Sequence, residues 1–357
     1  MSQMFESAMV LRALKFGYAN ARVKSMKQNL LGQKELGAML EARSVQEIYS
    51  ILEKTPYRED LVANSLNEKT IADKIELACS HNFSRTLAKI LKMSPRDSQE
   101  KIAAMFEKYD INNIKTILIA KHTNEDKKKI EPLLLDTGST SKGLLARLLS
   151  AKGIKEAVAE LGGTPYGSVL EKNMKKYEKE GEITVLIAAL DDYYYKKLPQ
   201  IAKNPYGDER VILGMLKTEV DLKNVSNILR AKKAGIKEDA IEEMIIGSGN
   251  IPKEKLLQAA SAKSVEDSMK VFEKNFKIAK AIEAYRKNSS LIPLEMELEK
   301  GVAKKGLSTL RTSVLSLGAI AGFLFLKEEE VSNIRKIVRA KEYNLPEEKI
   351  REMLVIV

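Results

Sequence analysis

Between Asp110 and Lys121 the residues Ile111, Ile114, Ile117 and Leu118 stand three and four apart, the spacing of one apolar stripe on a helix. The same pattern returns in DLKNVSNILRAK at 221–232 and in EVSNIRKIVRAK at 330–341. Aligned with DINNIKTILIAK at 110–121, the three read acid, aliphatic, any, Asn, Ile or Val, two variable places, Ile, Leu or Val, any, Ala, Lys. Asn113, Asn224 and Asn333 coincide, as do Ile117, Ile228 and Ile337, then Ala120, Ala231 and Ala340, then Lys121, Lys232 and Lys341. A given residue type has a background frequency of about 5%, so four triple identities in so short a phrase are not chance. The acid, the Asn and the closing Lys lie near one face of the predicted helix. A buried Asn needs partners, since an unpaired amide costs ~1–3 kcal/mol, and bonding to a neighbouring helix is the expected use, ahead of an exposed partner contact. The lysine fits a helix-dipole role and a partner contact about equally.

A second phrase keeps the same spacing: ARSVQE at 42–47, AKGIKE at 151–156 and AKSVED at 262–267. Its Ser or Gly reads as an N-cap, and the acid three residues on completes a capping box or answers the dipole. TPY at 55–57 returns at 164–166, whereas the third copy reads VFEKN and drops it. The chain therefore divides into three homologous helical units, 1–135, 136–247 and 248–357, with Gly/Ser/Thr-rich breaks at LDTGSTSKG (135–143) and IGSGNIP (246–252). The middle stretches, such as ITVLIAALDDYYYKKLPQIA at 183–202, carry helical spacing too, and no period-two strand runs stand out. The predicted class is all-α: three bundles of about 110 residues each, strung in a line or closed about a pseudo-threefold axis with a central opening.

Composition narrows the function without choosing it. A hydrophobic content of 44% excludes wholesale disorder, and a net charge of +11 favours acidic partners: nucleic acid, an anionic membrane surface or an acidic protein. Cys79 is the single cysteine, so no intramolecular disulfide forms; it reads as a small buried hydrophobe in a cytosolic protein. The opening MSQMFESAMV lacks the features of a signal peptide. VLSLGAIAGFLFL at 314–326 is uncharged, but as a helix it would span only roughly 20 Å against a ~30 Å hydrocarbon core, so a buried core helix is expected.

Candidate chemistry is sparse. His81 and His122 have no companion ligands at metal spacing, and GSTSKGLL at 138–145 lacks the order of a nucleotide-binding loop. GGTPYG at 162–167 reads as a turn. DDYYYKK at 191–197 suggests base stacking, yet consecutive helical tyrosines point three ways; one is expected to pack inward. No catalytic, cofactor or metal residue is assigned.

GFLFLKEEEVSNIRKIVRAK at 322–341 resembles the signature of the C subunits of the archaeal and bacterial A/V-type ATP synthases, relatives of the eukaryotic V-type ATPase d subunits. Gly322, Lys327, Glu328, Glu330, Val331, Asn333, Ile334 and Arg335 fill its places. YANARVKSMKQNLL at 18–31 is similar to the family's opening, through Tyr18, Asn20, Ala21, Arg22, Val23, Met26 and Lys27. The resemblance implies a funnel of three helical bundles without catalytic residues. It implies a rotor connector that sits on the membrane proteolipid ring, receives the central stalk in its mouth and passes torque for ATP synthesis or ion pumping. It further implies one copy per complex, monomeric when isolated, on the cytoplasmic side of the membrane and peripheral to it. Partner contacts are expected where the repeated helices end, at Lys121, His122, Lys232, Lys233, Lys341 and Glu342. The rival class is a basic helical scaffold for nucleic acid, which would concentrate its basic residues along one groove. Here Lys is scattered among Glu, as in EKNMKKYEKEGE at 171–182, so no nucleic-acid partner is expected.

Overall fold

The computed structural model describes residues 2–63, 70–138, 142–197 and 209–356. The chain begins with α1 (Ser2–Lys27), α2 (Gln33–Glu41), α3 (Val45–Leu52), α4 (Arg58–Ala63), α5 (Ile71–Met93), α6 (Arg96–His122) and α7 (Lys127–Ile130), then a 3-10 turn at Glu131–Leu133. There follow α8 (Lys142–Ser150), α9 (Ile154–Glu160), α10 (Pro165–Glu180), α11 (Thr184–Lys196), α12 (Glu209–Lys233) and α13 (Glu238–Glu243). The last stretch holds α14 (Lys253–Ser261), α15 (Val265–Val271), α16 (Ala279–Asn288), α17 (Ile292–Thr312), α18 (Leu317–Glu342) and α19 (Glu347–Glu352). All regular structure among the described residues is helical, in agreement with the all-α expectation.

Local chemistry explains where helices start. Ser44 Oγ accepts from the Glu47 N–H at 3.2 Å, and the Glu47 carboxylate accepts from the Arg43 N–H at 2.7 Å, which caps α3 from both sides. Gly153 has no side chain to offer at α9, so only the reverse bond remains, Lys152 N–H to the Glu156 carboxylate at 2.9 Å. At α15 Ser264 Oγ accepts from the Asp267 N–H at 3.0 Å. The second repeated phrase is thus a helix start in all three copies. The GGTPYG stretch is the expected turn: Gly163 has φ 79°, and Thr164 Oγ1 accepts from the Gly167 N–H at 3.1 Å to begin α10.

Two compact units result, one of residues 1–197 with 330–344, the other of 198–329 with 345–357. In the second, Val225, Ile228 and Leu229 of α12 pack with Leu256 and Ala259 of α14, Met269 of α15, Phe272 at its C-cap, and Leu294 and Leu298 of α17. The apolar stretch expected to be core at 314–326 is buried from Ser316 onward, whereas Val314 at its start is exposed. Its helix begins only at Leu317, after Leu315 takes φ 53°, and residues 317–326 are buried throughout. Gly322 lies so near α17 that a Cβ there would stand 2.6 Å from the Gly306 carbonyl oxygen and 2.7 Å from Leu310 N. That close approach gives a physical reason for one glycine of the 322–341 motif.

In the first unit Cys79 is fully buried, and Phe83 meets Tyr109 edge-on at 5.1 Å. The tyrosine run departs from expectation: Tyr194 and Tyr195 are both buried, their rings 4.9 Å apart, and only Tyr193 stays partly open. Helix α11 packs on both α10 and α6, and Asp191 is itself buried against Lys115 of α6. The predicted continuation of this helix over 198–202 lies outside the described residues. Among the described residues no helix is long and apolar enough to cross a membrane.

Candidate functional site

The twelve-residue phrase occupies the C-terminal halves of α6, α12 and α18, and its acids and asparagines are buried. Asn113 Nδ2 donates to the Leu135 carbonyl at 2.7 Å while Oδ1 accepts from the Leu135 N–H at 2.9 Å. Asn224 does the same for Ile246, at 2.8 Å in both directions. Each amide therefore stands in for a strand partner and satisfies a non-helical residue that follows the short helix α7 or α13. Asn333 is likewise buried. The expectation that the Asn bonds a neighbouring helix needs correcting for Asn113 and Asn224. Their partner is non-helical backbone, because a residue outside a helix leaves its N–H and its C=O free where a helix has already paired them.

The acids bind the segments that lead into the next short helix. Asp221 accepts from the N–H groups of Asn250 and Ile251 at 2.8 and 2.9 Å, just ahead of α14. Glu330 accepts from the Leu31 N–H at 3.3 Å, just ahead of α2, and Asp110 accepts from the Thr137 hydroxyl. The lysines close the far end of the same short helices. Lys232 donates to the Ala260 carbonyl at 2.8 Å at the end of α14, and Lys121 donates to the carbonyls of Leu149 and Ala151 at the end of α8. A charge-assisted bond to the last carbonyls answers the helix dipole directly. Burial lowers the Lys121 ammonium below its ordinary range. Each phrase acts as a clasp along one short helix, its acid at the N-terminal approach and, for Lys121 and Lys232, its lysine at the C-terminus.

The turns that end these helices also correspond. Asn124 and Asn344 have φ 54° and Gly235 has φ 73°, each eleven residues after the phrase Asn. The carbonyls of Ala120 and Ala231 accept from the N–H groups of Glu125 and Ile236 at 2.8 and 3.0 Å.

The six expected contact residues fall around these turns. Lys121 and Lys232 are half-buried, with their ammoniums engaged as above. Lys233 is exposed and donates to the Ser289 carbonyl at 2.6 Å; exposed His122 has Nδ1 3.3 Å from the Tyr177 hydroxyl. Lys341 and Glu342 are half-buried, and Glu342 accepts from Arg339 at 2.7 Å. The structure adds two exposed apolar residues there, Ile236 and Tyr343.

One cluster was not foreseen. Glu76 of α5 is buried, with Arg335 Nε 2.8 Å and Arg339 Nε 3.2 Å from its oxygens. The Arg335 N–H is off-axis, so this contact is an ion pair by proximity, while its guanidinium also donates to Ser80 Oγ at 2.7 Å. For Arg339, burial would lower the guanidinium, but bonds to Glu342 and Asp73 and the charge of Glu76 together raise it. Nearby Tyr57 is held well above the usual phenol range by burial and by Glu330. Glu76 sits inside the apolar pattern of α5, between Ile75 and Cys79, and an isolated acid there was the available signal.

Elsewhere, a cavity of about 730 Å³ in the first unit is lined by His81, Arg85, Asp136 and Leu145 among others. Among the described residues no group of three or more His, Cys, Asp or Glu side chains is placed to hold a metal ion.

Polar side chains that hold one helical segment to the next define a linked-segment helical scaffold. The model of the ATP synthase (C/AC39) subunit family matches residues 19–353, and the chain belongs to that family. The family supplies a structural subunit of the complex rather than its catalytic part. Similar chains include the A-type ATP synthase C subunit of Methanococcoides burtonii, 30% identical over 96% of this chain and 94% of that one. That of Methanobrevibacter smithii is 29% identical over 94% and 87%, and that of Methanocaldococcus jannaschii 29% over 97% and 88%.

Proposed function

We propose that this chain is the rotor connector of an A-type rotary ATP synthase, joining the central stalk to the membrane proteolipid ring and transmitting torque for ATP synthesis or ion pumping. In this reading it is a monomer when isolated, enters the complex in one copy, and lies against the cytoplasmic face of the membrane. The three-part division at 135/136 and 247/248 and closure about a pseudo-threefold axis belong to the same proposal. The observation that carries it is the order of the clasps. The phrase of α6 holds α8, that of α12 holds α14, and the acid of α18 reaches the approach to α2, so the last segment returns to the first. Segments tied to one another in this way suit a socket that must not open under torque.

The stalk contact is assigned to the turns after α6, α12 and α18, around Lys121, His122, Lys232, Lys233, Lys341 and Glu342. Simultaneous charge reversal at Lys121, Lys232 and Lys341 weakens stalk binding. Because Lys121 and Lys232 also cap helices within the chain, a second variant, His122→Glu with Tyr343→Ala, leaves those caps intact and tests the same surface.

The first test is a salt-controlled pull-down of the purified chain against the central-stalk proteins and a generic RNA. Stoichiometric capture of the stalk is the expected result. RNA capture that falls steeply with salt, without stalk capture, would place the chain in the nucleic-acid class instead.

A further inference from the structure

Helix α1 has two faces of unlike fate. Phe16, Ala19, Asn20 and Val23 are buried. On the opposite side Val10, Leu14 and Tyr18, four residues apart and hence in one row, are 58%, 79% and 68% exposed. The row beside them is small: Ala13 and Ala21 are exposed, and a Cβ on Gly17 would meet nothing within 4 Å. The three large side chains therefore project beyond their neighbours. A single exposed apolar residue is ordinary, whereas an aligned row on one helix marks a contact surface.

Charge selects the occupant. From residue 7 to 34 the sequence has no Asp or Glu and is rich in Lys and Arg. Lys15 is paired with Asp97 at 2.5 Å, which leaves Arg22 and Lys24, both exposed, beside the row. Apolar side chains including an aromatic, with Arg22 and Lys24 at their edge, fit the headgroup boundary of an anionic bilayer. Contact in the plane of the membrane agrees with the lack of a spanning helix among the described residues.

We propose that the outer face of α1 is a membrane-surface contact, in which Val10, Leu14 and Tyr18 enter the interface of an anionic bilayer and Arg22 and Lys24 pair with its headgroups. The proposal rests on the connector reading for the presence of a membrane beside the chain.

The test is co-sedimentation of the full chain with vesicles of phosphatidylcholine and phosphatidylglycerol in a 3:1 ratio, and with phosphatidylcholine alone. A chain of charge +11 adsorbs to anionic vesicles through any surface, so the decisive comparison holds charge constant. Leu14→Asp with Tyr18→Asp is set against Val62→Asp with Val314→Asp, which alters two residues of similar exposure elsewhere. The expected result is a loss of about tenfold in partitioning for the α1 pair and little change for the control pair, with helicity unchanged in both. Equal losses in the two pairs overturn the proposal, as does loss of stalk capture by the α1 pair with vesicle binding kept, which would make the face a protein interface. Dimerisation of the wild-type chain that the α1 pair abolishes also overturns it and assigns the face to a second copy. Stalk capture by the α1 pair at wild-type strength keeps the two proposals separate. Vesicle binding through α1 with no stalk capture by any form sinks the connector reading and leaves the membrane contact standing.

Discussion

Replacing Asn224 by Ala removes both hydrogen bonds to Ile246, an acceptor and a donor at 2.8 Å, and leaves the backbone of a buried residue without its amide partner. Each lost bond is worth about 0.5–1.5 kcal/mol net, and each buried group left unpaired costs about 1–3 kcal/mol, so the variant should lose roughly 2–4 kcal/mol. Urea unfolding followed by circular dichroism reads this as a lower midpoint at an unchanged slope, provided the second unit unfolds as one transition. A loss below about 0.5 kcal/mol would refute the buried clasp. Asn224→Asp sharpens the test. One carboxylate oxygen still accepts from the Ile246 N–H, but the other faces the Ile246 carbonyl. Burial and that carbonyl both disfavour the charged form, so the folded carboxyl titrates above its unfolded value of about 3.9. Between those two values the folded state binds more protons than the unfolded state, so stability falls as pH rises. The Asp variant should therefore be weakest at neutral pH and recover as pH falls through the raised folded value. A difference from wild type that stays constant from about pH 4 to 7 would contradict this geometry.

Other outcomes follow from the same structure. Gly322→Ala forces α17 and α18 apart, since its Cβ would lie 2.6 Å from the Gly306 oxygen, and should cost about 1–3 kcal/mol by thermal melting; wild-type stability would mean the helices do not cross so closely. Glu76→Gln leaves two guanidiniums facing a neutral amide; as both are about a third exposed, the expected loss is about 2–3 kcal/mol, below that of a fully buried pair, by urea titration. Lys232→Met keeps the apolar stem but frees the Ala260 carbonyl, for a loss of about 0.5–1.5 kcal/mol in the same assay. Arg286, and then Lys270, hold the Glu266 carboxyl down at about 2, so its contribution is full above the usual value near 4.5 and disappears as pH falls through about 2. Acid titration of Glu266→Gln should differ in shape from wild type only below about pH 4.5, and identical curves there would dismiss the ion pair.

The repeat was legible because its cause is local. Helical stripes, Ser44 and Ser264 as caps, and glycine at position 163 each act within a few residues, and a period-reading of the chain detects them. The burial of 317–326 was legible too, since an uncharged helix too short for a bilayer has few other places to go. What each phrase holds was not. Asn113 meets Leu135, 22 residues later and out of helical register, and Lys121 meets carbonyls on α8, which no spacing within the phrase encodes. Lysine at a helix C-terminus also has one sequence appearance for two roles, dipole and cap or surface contact. Glu76 was missed because an acid within an apolar stripe acquires its meaning only from Arg335 and Arg339, far along the chain. The tyrosine run misled for a similar reason: how much of α11 is covered depends on α10 and α6, and nothing within the run encodes them.

The connector role is tested most directly by ATP-driven ion pumping in vesicles that carry the reconstituted synthase, assembled with and without this chain. The expected result is that ATP hydrolysis by the head continues without the chain while pumping is lost, and that adding the purified chain restores it. Undiminished pumping in its absence would contradict the role.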